Sequence, residues 1–270
     1  MRNVPIYQVD AFAKRVFEGN PAAVCPLENW LPDATMQAIA AENNLAETAF
    51  VMSEGDGYRI RWFTPRHEAP LCGHATLATA FVLLHVIGVE AKTLHFQSHS
   101  GPLTVRQDGD WLAMDFPAYK MQPAEAPADI LEAFDIPPTH VFRTLEDPNY
   151  HLIYERAEQV RAVQPNLAQL EQWPQDGFAI SAPDTHFDCV SRYFAPGAGI
   201  PEDPVTGSIH SALVPYWSQV LGKNTIHAYQ ASARGGELHC EYHPDQERII
   251  IRGKTTLYMQ GTISLPDSCS

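Results

Sequence analysis

Two short segments set reactive side chains beside a glycine at the start of an apolar run. Cys72-Gly73-His74-Ala75-Thr76 opens the stretch Gly73–Val86, and Asp203-Pro204-Val205-Thr206-Gly207-Ser208 opens a second that continues through Val220. Read as helices, both present N–H groups with no intrahelical partner and the positive end of the helix dipole, which together hold a carboxylate without any lysine. The competing reading is that each helix caps itself against solvent, with Asp203 or Ser208 as the cap. Gly73 and Gly207 let backbone approach a ligand closely, or only relieve crowding at a tight turn. His74 falls in the first helical turn, where the dipole disfavours imidazolium, so a neutral ring that hydrogen-bonds substrate is expected. Cys72 is a thiol at a helix start, either a base of depressed pKa or a small buried packing residue.

The elements that must position these residues follow from periodicity. Ile6–Phe12 alternates as a strand, and Gly19-Asn20-Pro21 turns into Ala22–Cys25, giving a hairpin-like opening. Asp10 and Asn20-Pro21-Ala22 serve this opening as turn and register residues or lie near a site. Met36–Asn43 has helical spacing, with Asp33 as its expected N-cap and an end by Asn44. Glu47 then sits where a loop becomes a strand, and Tyr58–Phe63 alternates until Pro65 stops it. Gly73–Val86 is apolar on nearly every face and closes at Gly88, the mark of a helix enclosed by protein.

The second half repeats this order, with strands near Trp111–Phe116, His151–Tyr154 and Gly177–Ile180 and a helix around Leu167–Trp173. Arg192-Tyr193-Phe194-Ala195-Pro196 mimics Arg61-Trp62-Phe63-Thr64-Pro65. The displacement from Arg61 to Arg192 and from Cys72 to Asp203 is the same, 131 residues, which points to an internal duplication into two similar facing halves. The boundary is placed at Pro117-Ala118-Tyr119, before the Pro/Ala-rich run Gln122–Asp129. The first half is then 1–116 with a closing strand at about 257–266, and the second is 117–256. Arg248–Arg252 and Thr255–Ile263 read as the final strands.

Composition narrows the function. With 270 residues, 45% hydrophobic and 19% charged, the chain buries real cores and is not disordered. A formal charge of −14 repels nucleic acid and anionic lipid, and no basic cluster overrides it. Cys25, Cys72, Cys189, Cys240 and Cys269 form no C-x-x-C pair and suit reduced thiols in a cytosol. No signal peptide or membrane span is expected. The twelve histidines include no H-E-x-x-H, and His95/His99 and His239/His243 fall in segments read as strands, where i,i+4 side chains do not converge, so no metal is expected. Neither a G-x-S-x-G elbow nor a dinucleotide or P-loop fingerprint is present, and no cofactor is implied.

The ordered set YQVDAF, EGNPAAV, AETAF, WFTP, CGHAT, YFAPGAGIPEDPVTGS and GTISL resembles the phenazine-biosynthesis PhzF-like family over nearly the whole chain. The resemblance implies an α+β, diaminopimelate-epimerase-like fold: two pseudosymmetric halves, each a curved, mostly antiparallel sheet or barrel around a central helix, with the site between them. It implies a cofactor-independent isomerase acting on a small carboxylate-bearing substrate, with Glu47 in A-E-T-A-F as the acid–base group. It assigns His74, Asp203, Ser208, Gly73 and Gly207 to substrate binding, and a homodimer as the assembly. Without that match Glu47 reads as a surface residue. With it, burial is expected to raise the Glu47 pKa toward neutrality so that the carboxyl both takes and returns a proton. The epimerases of this fold use a cysteine at each helix start, whereas here the two positions hold Cys72 and Asp203. An amino-acid racemase or epimerase using that mixed pair, and a catalytically silent small-molecule binder, are the alternatives.

Overall fold

Period-two alternation becomes sheet throughout the computed structural model, which describes residues 2–266. The chain divides into two units, one running to Asp115 and resuming at Arg252, the other covering Phe116–Ile251. In the first, β1 (Arg2–Ala11) and β2 (Asn20–Leu27) pair antiparallel. Gly19 makes their turn at φ 67°, where a side chain would run into the carbonyl oxygen of Ala11. The helix α1 (Asp33–Asn43) carries the chain over to β3 (Glu47–Glu54), which lies parallel to β2 and antiparallel to β4 (Gly57–Phe63). Met36, Ile39 and Ala40 form its buried stripe, packed with Ala23, Cys25, Phe50 and Phe63. Asp33 does not cap this helix. The N-cap is Pro32, and the Asp33 carboxylate instead accepts a hydrogen bond from Arg61 Nη1 at 2.8 Å.

A short strand, β5 (Glu68–Ala69), borders β4 and leads to α2 (Gly73–Phe81), whose residues His74–Ala80 are all buried. Two hydroxyls survive in this apolar setting because Thr76 Oγ1 donates to the Cys72 carbonyl at 2.6 Å and Thr79 Oγ1 to that of Ala75 at 2.7 Å. The helix widens into a π turn at Val82–Ile87 and stops at Gly88, φ 83°. The antiparallel meander β6 (Thr93–Ser98), β7 (Gly101–Asp108) and β8 (Trp111–Pro117) follows. His95 is in β6, but His99 is in the turn after it rather than in a strand.

The second unit begins with β9 (Gln122–Pro123), α3 (Ala128–Glu132), β10 (His140–Arg143) and β11 (Tyr150–Ile153). Two short helices, α4 (Ala157–Ala162) and α5 (Leu167–Leu170), cross to β12 (Phe178–Pro183), which is parallel to β11 and antiparallel to β13 (Cys189–Ala195). The strand β14 (Ile200–Asp203) borders β13, as β5 borders β4. The duplication is therefore one of topology, and its side chains repeat too. Arg61 Nε meets Glu68 and Arg192 Nε meets Glu202, each at 2.7 Å, with the guanidinium over Phe63 in one case and Phe194 in the other.

The constant displacement fails at one place. The second central helix, α6 (His210–Leu221), starts only at His210, because Asp203 still belongs to a strand and residues 207–209 form a turn. Its interior Pro215 has no N–H to offer the Ser211 carbonyl, and the Tyr119 N–H occupies that oxygen at 2.7 Å. The hairpin β15 (Thr225–Gln230) and β16 (Gly236–His243) packs on α6 and is followed by β17 (Arg248–Gly253). Finally β18 (Thr255–Leu265) returns to the first unit and pairs antiparallel with β1 along its whole length, from Arg2 opposite Leu265 to Ala11 opposite Thr255. Cys25, Cys72, Cys189 and Cys240 are buried, and Cys269 lies outside the described residues. No helix among the described residues is long and apolar enough to cross a membrane.

Candidate active site

Three elements of the first unit bring four polar side chains together. Glu47 opens β3 opposite Ala22 of β2, Asn20 opens β2, and Cys72 and His74 sit at the N-cap and first turn of α2. All four are at most 9% exposed. His74 Nε2 lies 3.2 Å from Glu47 Oε2, an ion contact rather than an aligned hydrogen bond. The other ring nitrogen, Nδ1, lies 3.3 Å from Asn20 Nδ2 and 3.5 Å from Cys72 Sγ. Asn20 suits either state of the ring: its amide nitrogen serves a bare Nδ1, and its oxygen serves Nδ1–H after a flip.

The charge state differs from the one expected from the sequence. Burial raises the Glu47 carboxyl, yet the imidazolium beside it outweighs burial and holds it below the ordinary carboxylate value. Burial likewise lowers the His74 ring, while the Cys72 sulfur and the Glu47 carboxylate raise it well above the ordinary imidazole value. Burial and the nearby carboxylate push the Cys72 thiol up to about 11, so at neutral pH Glu47 is the anion that charges His74. Glu47 is thus not raised toward neutrality, and His74 is not a neutral ring. The helix dipole is a weak effect beside a carboxylate in contact.

Glu47, Cys72 and His74 each place a donor atom within 4.8 Å of the others, a spread that would also suit a metal ion. The ring, however, turns Nε2 to the carboxylate and Nδ1 to the sulfur. One ion cannot be bound through both edges, and the protonated thiol is a poor ligand, so the set suits proton transfer better. Asp10, also buried, accepts the Phe17 N–H at 2.9 Å and thereby holds the loop after β1, where Phe17 has φ 74°.

In the second unit Asp203 is 8% exposed, Gly207 is buried and Ser208 is exposed, all three before α6. Neither Asp203 nor Ser208 caps that helix: its N-cap is Ile209, with no side-chain cap bond. Asp203 Oδ2 accepts from Thr206 Oγ1 instead. Gln230 locks the loop: its Nε2 donates to the Asp203 carbonyl at 2.8 Å and to Thr206 Oγ1 at 3.1 Å, and its Oε1 accepts the Thr206 N–H at 2.8 Å. His210 Nδ1–H donates to the Thr206 carbonyl at 2.8 Å, and burial drops this ring to about 4, so it stays neutral. Sequence reading missed Gln230 and His210. Gln230 lies at the end of a strand, 24 residues beyond Thr206, with no local pattern to mark it.

A sheet-rich fold built twice around a buried helix defines a class that includes amino-acid epimerases. A hydroxyproline epimerase from Agrobacterium vitis, solved with bound trans-4-OH-L-proline, superimposes with a TM-score of 0.62 at 9% identity over 98% of this chain and 94% of its own, and so shares the fold. The sequence profile of the phenazine biosynthesis-like proteins (PhzC/PhzF) matches residues 9–261, and the chain belongs to that family. A family member of known structure from Enterococcus faecalis is 43% identical, with a TM-score of 0.93 over 98% of this chain and all of the other. Among its relatives, an uncharacterised isomerase of Pseudomonas aeruginosa is 50% identical over 96% of this chain and 98% of its own. The human phenazine biosynthesis-like domain-containing protein is 41% identical over 97% and 99%.

Proposed function

We propose that the protein is a cofactor-independent isomerase of the phenazine biosynthesis-like family that moves a proton on a small carboxylate-bearing substrate, with Glu47 as the acid–base group. The observation that carries this reading is the buried Glu47–His74 pair. Glu47 as carboxylate takes a proton from a carbon acidified by the neighbouring carboxylate or conjugated system. The resulting carboxylic acid returns that proton to another carbon, so a double bond shifts and no atom is lost. The imidazolium of His74 faces the charge that develops when the C–H bond breaks, in a place from which water is largely excluded. The same reading assigns Gly73, His74, Asp203, Gly207 and Ser208 to substrate binding. Relatives named isomerases support it at family level.

Glu47→Gln keeps shape and polarity but cannot carry the proton. Its turnover is expected to fall by about 10²–10⁴-fold or more. In deuterated water, with a panel of unsaturated and amino carboxylic acids, wild type should incorporate deuterium or form isomers, and Glu47→Gln should not. Full turnover in Glu47→Gln would sink the assignment, and ligand binding without exchange in wild type would favour a silent binding protein. The epimerase alternative needs a thiolate at Cys72, which a pKa of about 11 opposes. Cys72→Ala is therefore expected to retain exchange, and its loss there with Glu47→Gln still active would reverse the roles.

A further inference from the structure

Three metal-ligating side chains meet on one face of the β15–β16 hairpin. His227 and His239 are directly opposite in the antiparallel register, and Glu237, two residues before His239, projects from the same face. The two imidazole rings are 4.0 Å apart between centroids. His227 Nε2 is 3.0 Å and His239 Nε2 is 3.6 Å from the same oxygen, Glu237 Oε2. Two donors that each lie about 2 Å from a tetrahedral zinc are roughly 3.3 Å apart. The measured separations fall on either side of that edge, and donors from all three residues lie within 4.8 Å of one another.

We propose that His227, Glu237 and His239 form a binding site for one divalent late first-row cation, with Zn²⁺ as the reference ion. Two neutral imidazoles and a carboxylate are a ligand set that such ions favour. The side chains are 34%, 22% and 37% exposed respectively, which leaves a fourth position open to water. The His227 ring and backbone are held in place from outside the set. Phe187 packs edge-on against the ring at 4.9 Å, Asp188 Oδ2 accepts the His227 N–H, and the Asp188 N–H reaches the His227 carbonyl, the last two at 2.8 Å. Glu241 and His243, farther along the same face, pair with each other at 3.6 Å. The site escapes a search at i,i+4 spacing because its histidines are partners across a hairpin. Three residues beyond His227 on β15 is Gln230, so an ion here pins the strand that holds the Asp203–Thr206 loop.

The test is titration of the chelator-stripped full-length protein with Zn²⁺ against a chromophoric competitor, with Co²⁺ spectra as a second readout. Wild type is expected to bind one equivalent at micromolar metal, with cobalt bands of nitrogen and oxygen ligands and no thiolate charge transfer. His227→Ala and His239→Ala should each weaken binding by roughly 100-fold or more, and Cys72→Ser should leave it unchanged. Zinc should raise the thermal midpoint of wild type and not of the histidine variants, whose metal-free midpoints verify folding. Undiminished affinity in both histidine variants would overturn the proposal. So would absence of binding in wild type, or a thiolate band lost in Cys72→Ser, which would place the ion at Glu47, Cys72 and His74.

Discussion

Glu47 and His74 each determine the other's charge, so the pair is best tested by removing one member. His74→Gln leaves burial as the main influence on Glu47, and burial alone raises a carboxyl. The acid limb of the pH–rate profile, below the ordinary carboxylate value in wild type, is expected to move above it in His74→Gln. The alkaline limb, set by His74 above the ordinary imidazole value, should vanish. Stability follows the same signs. The contribution of the depressed Glu47 is present above its unfolded pKa and lost as pH falls through the folded one. That of the raised His74 is present below the ordinary imidazole value and lost as pH rises through its folded value. Thermal midpoints measured across pH should therefore show a plateau between these limits; in His74→Gln, where Glu47 is raised, the midpoint should instead be highest below the ordinary carboxylate value and fall as pH rises through it. A-E-T-A-F and C-G-H-A-T were legible as site motifs, but their charge state was not. It depends on a 3.2 Å contact between side chains 27 positions apart, which no local pattern records.

At the scale of elements, Gln230 supplies three of the hydrogen bonds that hold the loop before α6. Gln230→Leu removes three hydrogen bonds and strands the buried Thr206 N–H. Urea unfolding should show a loss of about 1–3 kcal/mol, the cost of one stranded buried group. A Gln230→Glu variant, which keeps the acceptor but loses the donor, should be destabilised as well. Strands with clean alternation, such as Tyr58–Phe63, and the enclosed helix from Gly73 were readable because burial imposes their periodicity. The start of α6 was not. Asp203 and Ser208 have the chemistry of helix caps, but the bonds of Gln230 and Thr206 keep that segment as strand end and loop until His210. Asp33 misled in the same way, as a capping residue drawn off by Arg61.

Across the whole molecule, the duplication was visible because repeated topology preserved spacing between Arg61 and Arg192, whereas the meander from Thr93 to Asp108 carried no comparable signal. The first unit is built from both ends of the sequence, since β18 covers the edge of β1. A chain ending at Ile251 is expected to lose the cooperative transition of the first unit while keeping that of the second, Phe116–Ile251. Two-probe thermal unfolding of the truncated and full proteins checks this; retention of both transitions would contradict it.

The pairing of β1 with β18 also sets an order of events during synthesis. One edge of β1 can pair with β2 as soon as that strand is made, but its other edge waits for β18, which is translated after the second unit has all of its residues. For that interval β1 presents an unpaired edge, the kind of surface on which chains associate wrongly.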